Sequence, residues 1–171
     1  EMQRSLVGSE MCIRDSIYSV HPFGNTMCVI RVTGQQVLDA LEWGARAVPS
    51  ENGGFLQVSG LTYEIHTGVA SSAEKDENGM FTRVSGEYRV KNVIVGGQPL
   101  ELDKTYTLAS HNYMLLGHGD GYTMFDGCEV LGEDMMVDNQ VLITYITTTL
   151  GGVVGEQYAN PYGDGRIVAV E

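Results

Sequence analysis

Met27-Cys-Val-Ile-Arg-Val-Thr-Gly-Gln-Gln-Val-Leu-Asp-Ala-Leu-Glu-Trp-Gly-Ala-Arg-Ala-Val48 changes its periodicity part-way along. From Met27 to Val32 it is a run of β-branched and apolar residues suited to a strand. Thr33-Gly-Gln-Gln36 then fits the S/T-x-x-E/Q capping box, in which hydroxyl and amide side chains satisfy the free N–H groups of a helix start. Beyond it Val37, Leu38, Leu41, Ala45 and Val48 fall on one face at helical spacing, until Pro49 stops the run. The stretch predicts a strand followed by a helix from about residue 34 to about 47. Trp43 lies near the apolar face of that helix and is expected to be a packing residue.

The same alternation continues on either side. Leu61-Thr-Tyr-Glu-Ile65 and Tyr88-Arg-Val-Lys-Asn-Val-Ile-Val95 alternate apolar and polar residues as half-buried strands do. Gly96-Gly97 can supply a tight hairpin, with Pro99-Leu-Glu-Leu102 opening the return. Residues 70–86, with the charge run Glu74-Lys-Asp-Glu-Asn-Gly79, read as a solvated loop or hairpin tip. Tyr106-Thr-Leu-Ala-Ser110 is a strand delivering a loop at Asn112-Tyr113, and Gly117-His-Gly-Asp-Gly121 is too rich in glycine for regular structure. Asp138 is placed to cap a helix through about Leu150, with Val141, Leu142, Tyr145, Ile146 and Leu150 as its buried stripe. Arg166-Ile-Val-Ala-Val170 follows the Gly163-Asp-Gly165 turn as a final strand. The expected fold is a single α+β domain with a mixed sheet and two main helices.

Composition agrees with one folded domain. The chain has 171 residues, 43% of them hydrophobic and 19% charged, and its 22 glycines fit many short strands joined by turns. A net charge of −12 opposes binding to a nucleic acid polymer. No run approaches the roughly 18 uninterrupted apolar residues of a membrane span. Cys12, Cys28 and Cys128 lack zinc-ligand spacing, and Cys28 and Cys128 read as small buried apolar residues.

The first sixteen residues stand apart. Ser5-Leu-Val-Gly-Ser-Glu-Met-Cys-Ile-Arg-Asp-Ser16 resembles a translated sequencing-adapter run, so residues 1–16 are taken as a non-native segment expected to make few buried contacts. The domain is read over 17–171, truncated at its N-terminus.

Which residues carry chemistry is narrowed first by absence. No G-x-S-x-G, H-E-x-x-H or phosphate-binding glycine loop occurs. His21, His66, His111 and His118 are scattered singly, and no metal or other cofactor is expected in this chain. Phe23 and Tyr113 differ from core aromatics, because each sits beside glycine or asparagine outside any apolar periodic run. Two flat rings on facing loops can sandwich a heterocyclic base. Asn25 offers an amide that both donates and accepts to a base edge, and Asp120, between Gly119 and Gly121, can accept two ribose hydroxyls.

Pro22-Phe-Gly-Asn25 together with Ser110-His-Asn-Tyr-Met-Leu-Leu-Gly-His-Gly-Asp-Gly-Tyr122 resembles the C-terminal, substrate-binding domain of the 5′-nucleotidase and 2′,3′-cyclic-nucleotide phosphodiesterase family. The resemblance extends through Val32–Leu41 and Leu102–Ala109. It implies that Phe23 and Tyr113 stack on the base, Asn25 binds its edge, and Asp120, flanked by Gly119 and Gly121, holds the ribose. It further implies a nucleotide or nucleoside as ligand and an exported parent, periplasmic, on the cell surface or secreted. The parent's catalysis would come from a separate N-terminal metallophosphatase domain holding two divalent metal ions, the present chain being inactive by itself. Gly117-His-Gly119 departs from the family's G-G, and His118 is expected to point to water. The family's phosphate-binding arginine precedes P-F-G-N by some twenty residues; Arg14 precedes Phe23 by nine and does not inherit the role. The alternatives are a non-enzymatic nucleoside or aromatic-metabolite binding module and an acidic surface-adhesion domain.

Overall fold

The computed structural model describes residues 15–160 and 163–171. A helical turn over 15–20 leads to strand β1, Met27–Thr33, and helix α1, Gly34–Ala45. Strands β2 (Leu61–His66), β3 (Ala73–Lys75), β4 (Phe81–Val84), β5 (Val90–Val95), β6 (Gln98–Pro99) and β7 (Thr105–His111) follow. A short helix α2, Asn112–Leu115, precedes 3-10 turns at Gly119–Gly121 and Thr123–Phe125. Strand β8 (Glu129–Gly132), helix α3 (Asp138–Thr144), which widens into a π turn at Tyr145–Thr149, and strand β9 (Ile167–Val170) complete the order.

Three sheets surround α1. One runs β7-β1-β8 and is antiparallel, a second runs β6-β5-β2-β9, and β3 and β4 form a hairpin. The second is mixed, because β9 lies parallel to β2 while β5 is antiparallel to it. The single α+β domain with a mixed sheet and two main helices is thus what the chain forms.

The period of two in β1 sends Cys28, Ile30 and Val32 to one face, where they are buried. The predicted capping box is realised: Gln36 N donates to Thr33 Oγ1, and Thr33 N donates to Gln36 Oε1 at 2.8 Å. Helix α1 is enclosed more fully than one amphipathic stripe requires, for Glu42, Trp43, Gly44 and Ala45 are all buried. The reason is that α1 packs against β1, β4, β5 and the Thr123–Phe125 turn at once. Its C-terminal carbonyls are met by the buried Arg89, whose Nη1 donates to Ala45 O and Val48 O at 3.2 and 2.9 Å. In return Glu42 Oε2 accepts from Val90 N at 2.9 Å, tying the helix to β5.

Residues 70–86 hold the β3–β4 hairpin, exposed at its charged tip as expected, with Phe81 buried against Trp43. Three expectations need correction. Asn112 and Tyr113 open a helix rather than a loop, because the His111 side chain caps it. Val137, not Asp138, is the N-cap of α3; Asp138 is its first residue. Of the stripe assigned to that helix only Ile146 is buried, while Tyr145 is 44% exposed, because Val141, Leu142 and Tyr145 line an apolar groove with Met27 and Ala109 instead of being closed over. The segment set aside at the N-terminus falls largely outside the described residues; Ile17, which follows it, is buried.

Candidate functional site

Strand β1 enters its sheet from Pro22–Asn25, and β7, its antiparallel partner, leaves the same end into α2, with Met27 opposite His111. One residue further the pairing continues through a side chain. Asn112 N donates to Thr26 O at 2.8 Å, and Thr26 N donates to Asn112 Oδ1 at 3.1 Å. Asn112 Oδ1 also accepts from Tyr113 N at 2.9 Å, which turns the chain into the helix. Phe23 and Tyr113 therefore leave the two ends of one hydrogen-bonded pair. Neither ring is buried: Phe23 is 84% and Tyr113 48% exposed. Asn25 is held by its backbone, its carbonyl accepting from Asp138 N at 2.8 Å.

The Asp120 turn adjoins Tyr113. A Cβ on Gly119 would lie 2.2 Å from the Tyr113 ring, so the ring rests on that glycine and leaves no room for a side chain. Gly121 has φ +85°, and a Cβ there would meet Gly79 O and the Trp43 ring at 2.9 Å. Both flanking glycines thus have a steric reason. Asp120 itself is exposed and left-handed, with φ 54° and ψ 19°. Its carbonyl accepts the Trp43 indole N–H at 2.9 Å, and its carboxylate lies beside Gly54. Gly54 O accepts from the buried Tyr122 hydroxyl, whose pKa burial raises.

The structure brings Phe23, Tyr113, Gly119, Asp120 and Gly121 to one end of the β1–β7 pair, with Asn25 between Phe23 and the strand. Arg46 is the nearby cation. Its guanidinium lies 3.7 Å from the centre of the Trp43 ring, and burial lowers its pKa against the opposing pull of Tyr122 and Asp120. His118 is partly exposed, as expected, and pairs there with the exposed Asp126 carboxylate. His111 Nδ1 accepts from Met114 N at 3.3 Å, a role that requires the unprotonated nitrogen. His21 Nδ1 lies 3.7 Å from Asp138 Oδ2 on the rim of an apolar groove of about 420 Å³ floored by Met27, Ala109 and Leu142.

Among the described residues no three histidines, cysteines or carboxylates gather in a way that could hold a metal ion. Nor is any helix among them long and apolar enough to cross a membrane. Cys28 is buried, and Cys128, half-buried, takes a hydrogen bond from Gln36. Sequence reasoning missed the link from Trp43 to Asp120. The available signal was a lone indole N–H on a helix packed from all sides, which must find an acceptor.

Comparison with known proteins gives the family and the fold. The family model for the 5′-nucleotidase, C-terminal domain, matches residues 12–127. The chain is 31% identical over 154 residues to the trifunctional nucleotide phosphoesterase protein YfkN of Bacillus subtilis, covering 90% of this chain and 9% of that one. It is 28% identical over 142 residues to the 5′-nucleotidase of Vibrio vulnificus, covering 83% of this chain and 22% of the relative. The crystal structure of a 5′-nucleotidase precursor from Thermus thermophilus superposes with a TM-score of 0.70 at 29% identity, over 90% of this chain and 27% of that one. The chain thus spans less than a third of the length of each of these proteins.

Proposed function

The chain belongs to the 5′-nucleotidase C-terminal domain family, and we propose that it is the nucleotide-recognition domain of a phosphoesterase acting on nucleoside 5′-monophosphates or 2′,3′-cyclic nucleotides. Phe23 and Tyr113 clamp the base, Asn25 binds its edge, and Asp120 accepts the ribose hydroxyls between Gly119 and Gly121. Hydrolysis would be the task of a separate metallophosphatase domain of the parent protein, in which two divalent metal ions would supply Lewis-acid chemistry. The parent works outside the cytoplasm, in the periplasm, on the surface or in the medium.

The observation that carries this reading is the Thr26–Asn112 pair. It anchors the loop bearing the exposed Phe23 beside the helix bearing the exposed Tyr113, and that second ring rests on the turn of Asp120. Solvent-exposed rings contribute little to folding, so their stacking capacity is free for a ligand. Two stacked aromatics supply a gross gain of roughly 2–6 kcal/mol, reduced by the cost of association. A dissociation constant near 1 mM corresponds to about −4.1 kcal/mol, and adenosine should bind at that level or more weakly. AMP should bind about as well, since none of the residues assigned to the site carries a positive charge. Ligand-observed NMR on the wild type, Phe23→Ala, Tyr113→Ala and Asp120→Ala tests this, with circular dichroism to establish folding. If both ring variants are folded and keep wild-type adenosine binding, the clamp is wrong.

A further inference from the structure

Asp120 is held from behind by the chain's single tryptophan. Trp43 is 1% exposed and immobilised on several sides: Arg46 stacks on its face, Phe81 meets it at 5.7 Å and 67°, and the Gly121 backbone lies against its edge. Phe81 is fixed in turn, its carbonyl accepting from Thr123 Oγ1 just beyond the Asp120 turn. Packing alone makes no use of an N–H. Yet the indole donor points at the carbonyl of Asp120, an exposed residue whose left-handed backbone L side chains rarely adopt.

We propose that Trp43 is a positioning residue for Asp120: by fixing the Asp120 carbonyl it aims the carboxylate, and so makes the site prefer nucleosides that carry ribose hydroxyls. The inference rests on the reading of Asp120 as the ribose acceptor. An indole has one donor and no acceptor, so once buried it must keep this partner or leave the donor unmet. The Asp120 carbonyl belongs to the peptide that joins it to Gly121, so turning that peptide away from Trp43 would change Asp120 ψ and Gly121 φ and shift the Cα that carries the carboxylate away from its place beside Gly54. The hydrogen bond removes that freedom before any ligand arrives, which lowers the ordering cost of binding.

The test uses adenosine and 2′,3′-dideoxyadenosine with the full chain, their dissociation constants measured by ligand-observed NMR. Wild type should favour adenosine about tenfold, the lower end for hydrogen bonds to a charged acceptor. Asp120→Ala should abolish that preference. Trp43→Phe keeps a ring against Arg46 and Phe81 but has no donor; its preference should fall to about one, with dideoxyadenosine affinity within about twofold of wild type. Because Trp43 is the only tryptophan, its indole N–H gives one resonance, which adenosine should shift more than dideoxyadenosine does.

A Trp43→Phe protein that retains the tenfold preference overturns the proposal while leaving Asp120 as the ribose acceptor. A wild type without preference, or an Asp120→Ala variant that keeps it, overturns the Asp120 reading itself. Should Trp43→Phe not fold, replacement of tryptophan by benzothienylalanine, with sulfur in place of N–H, is judged by the same ratio.

Discussion

Arg89→Met offers the sharpest test of how the central helix is held. Arg89 and Glu42 are 4% and 0% exposed, and the two side chains tie the end of α1 to the start of β5 in opposite directions. Methionine fills similar volume but leaves the Ala45 and Val48 carbonyls without their donor and the Glu42 carboxylate without a neighbouring positive charge. The two hydrogen bonds from the guanidinium that are lost are each worth about 1.5–3 kcal/mol, so together they cost about 3–5 kcal/mol once some relaxation of the site is allowed. At about 2–4 °C per kcal/mol for a chain of this size, the melting temperature should fall by about 6–20 °C. Adding Glu42→Gln should recover part of that loss, because the amide can still accept from Val90 N without burying a charge. Urea denaturation of the two single variants and the double variant closes the cycle. A loss below about 1 kcal/mol for Arg89→Met, or strict additivity in the double variant, would refute the argument.

The same pair has a pH signature. Burial raises the Glu42 pKa above its ordinary value, against the lowering effect of the Val90 and Arg89 backbone hydrogen bonds and the Arg89 charge. A raised folded-state pKa means that the folded protein holds this proton more tightly than the unfolded chain. Ionising Glu42 therefore costs stability as pH rises from the ordinary glutamate value through the folded one, and the loss is constant above that window. Glu64, Glu74, Glu87 and Asp164 act oppositely, their pKa values lowered chiefly by hydrogen bonds from Asn92, Arg83, Lys91 and Arg166. Their contributions cancel when wild type is compared with Glu42→Gln. Within the window that difference should move toward wild type by at most about 1.4 kcal/mol per unit of acidification.

Three further outcomes are expected. Gly121→Ala must adopt φ +85° and place a methyl 2.9 Å from Gly79 O and the Trp43 ring; it should cost about 2–5 kcal/mol and weaken adenosine binding, whereas Gly24→Ala, with φ +68° and open space around it, should cost only about 1 kcal/mol by calorimetry. Thr33→Ala removes half of the capping box and should lower stability by about 1 kcal/mol in urea titrations, leaving the affinity for adenosine unchanged. Phe23→Ala should leave the melting temperature within about 1 °C of wild type, since a ring 84% exposed contributes little burial; a larger fall would place Phe23 in the fold rather than in the site.

The helix α1 could be read because its two signals are local: the Thr33–Gln36 box marks the start, and the apolar spacing marks the face. The strands β1, β2, β5, β7 and β9 were legible for the same reason. What escaped was set by partners distant in sequence. Phe81 follows Asn78-Gly79, a tight-turn pair that announces a hairpin, but its burial depends on a tryptophan far upstream. The apolar stripe of α3 promised burial, but three of its residues line a groove that stays open. At the site, the residue types of Phe23, Asn25, Tyr113 and Asp120 could be picked out as exposed loop chemistry. That they belong together was implied by the family resemblance rather than by the residues, and the register of β1 against β7 is what sets the Phe23 loop beside Tyr113. The left-handed backbone of Asp120 could not be read, at a position where glycine would have been the sequence's own marker.

The hydrogen-bond pair joining Thr26 to Asn112 bridges 86 positions of chain, and this separation ties the site to the order of folding. Helix α1 can nucleate from local contacts, but the two aromatic platforms are strangers until the loop between them closes and β1 finds β7. On the proposed reading of Phe23 and Tyr113 as the base clamp, a fragment lacking either side of this loop would carry only one of the two rings. Anything gripped there engages the native chain alone, so at ten times its dissociation constant it would shift the unfolding equilibrium by about 1.4 kcal/mol. Ligand-induced protection of the β1 and β7 amides from hydrogen exchange would then report that the ends of this long loop have met.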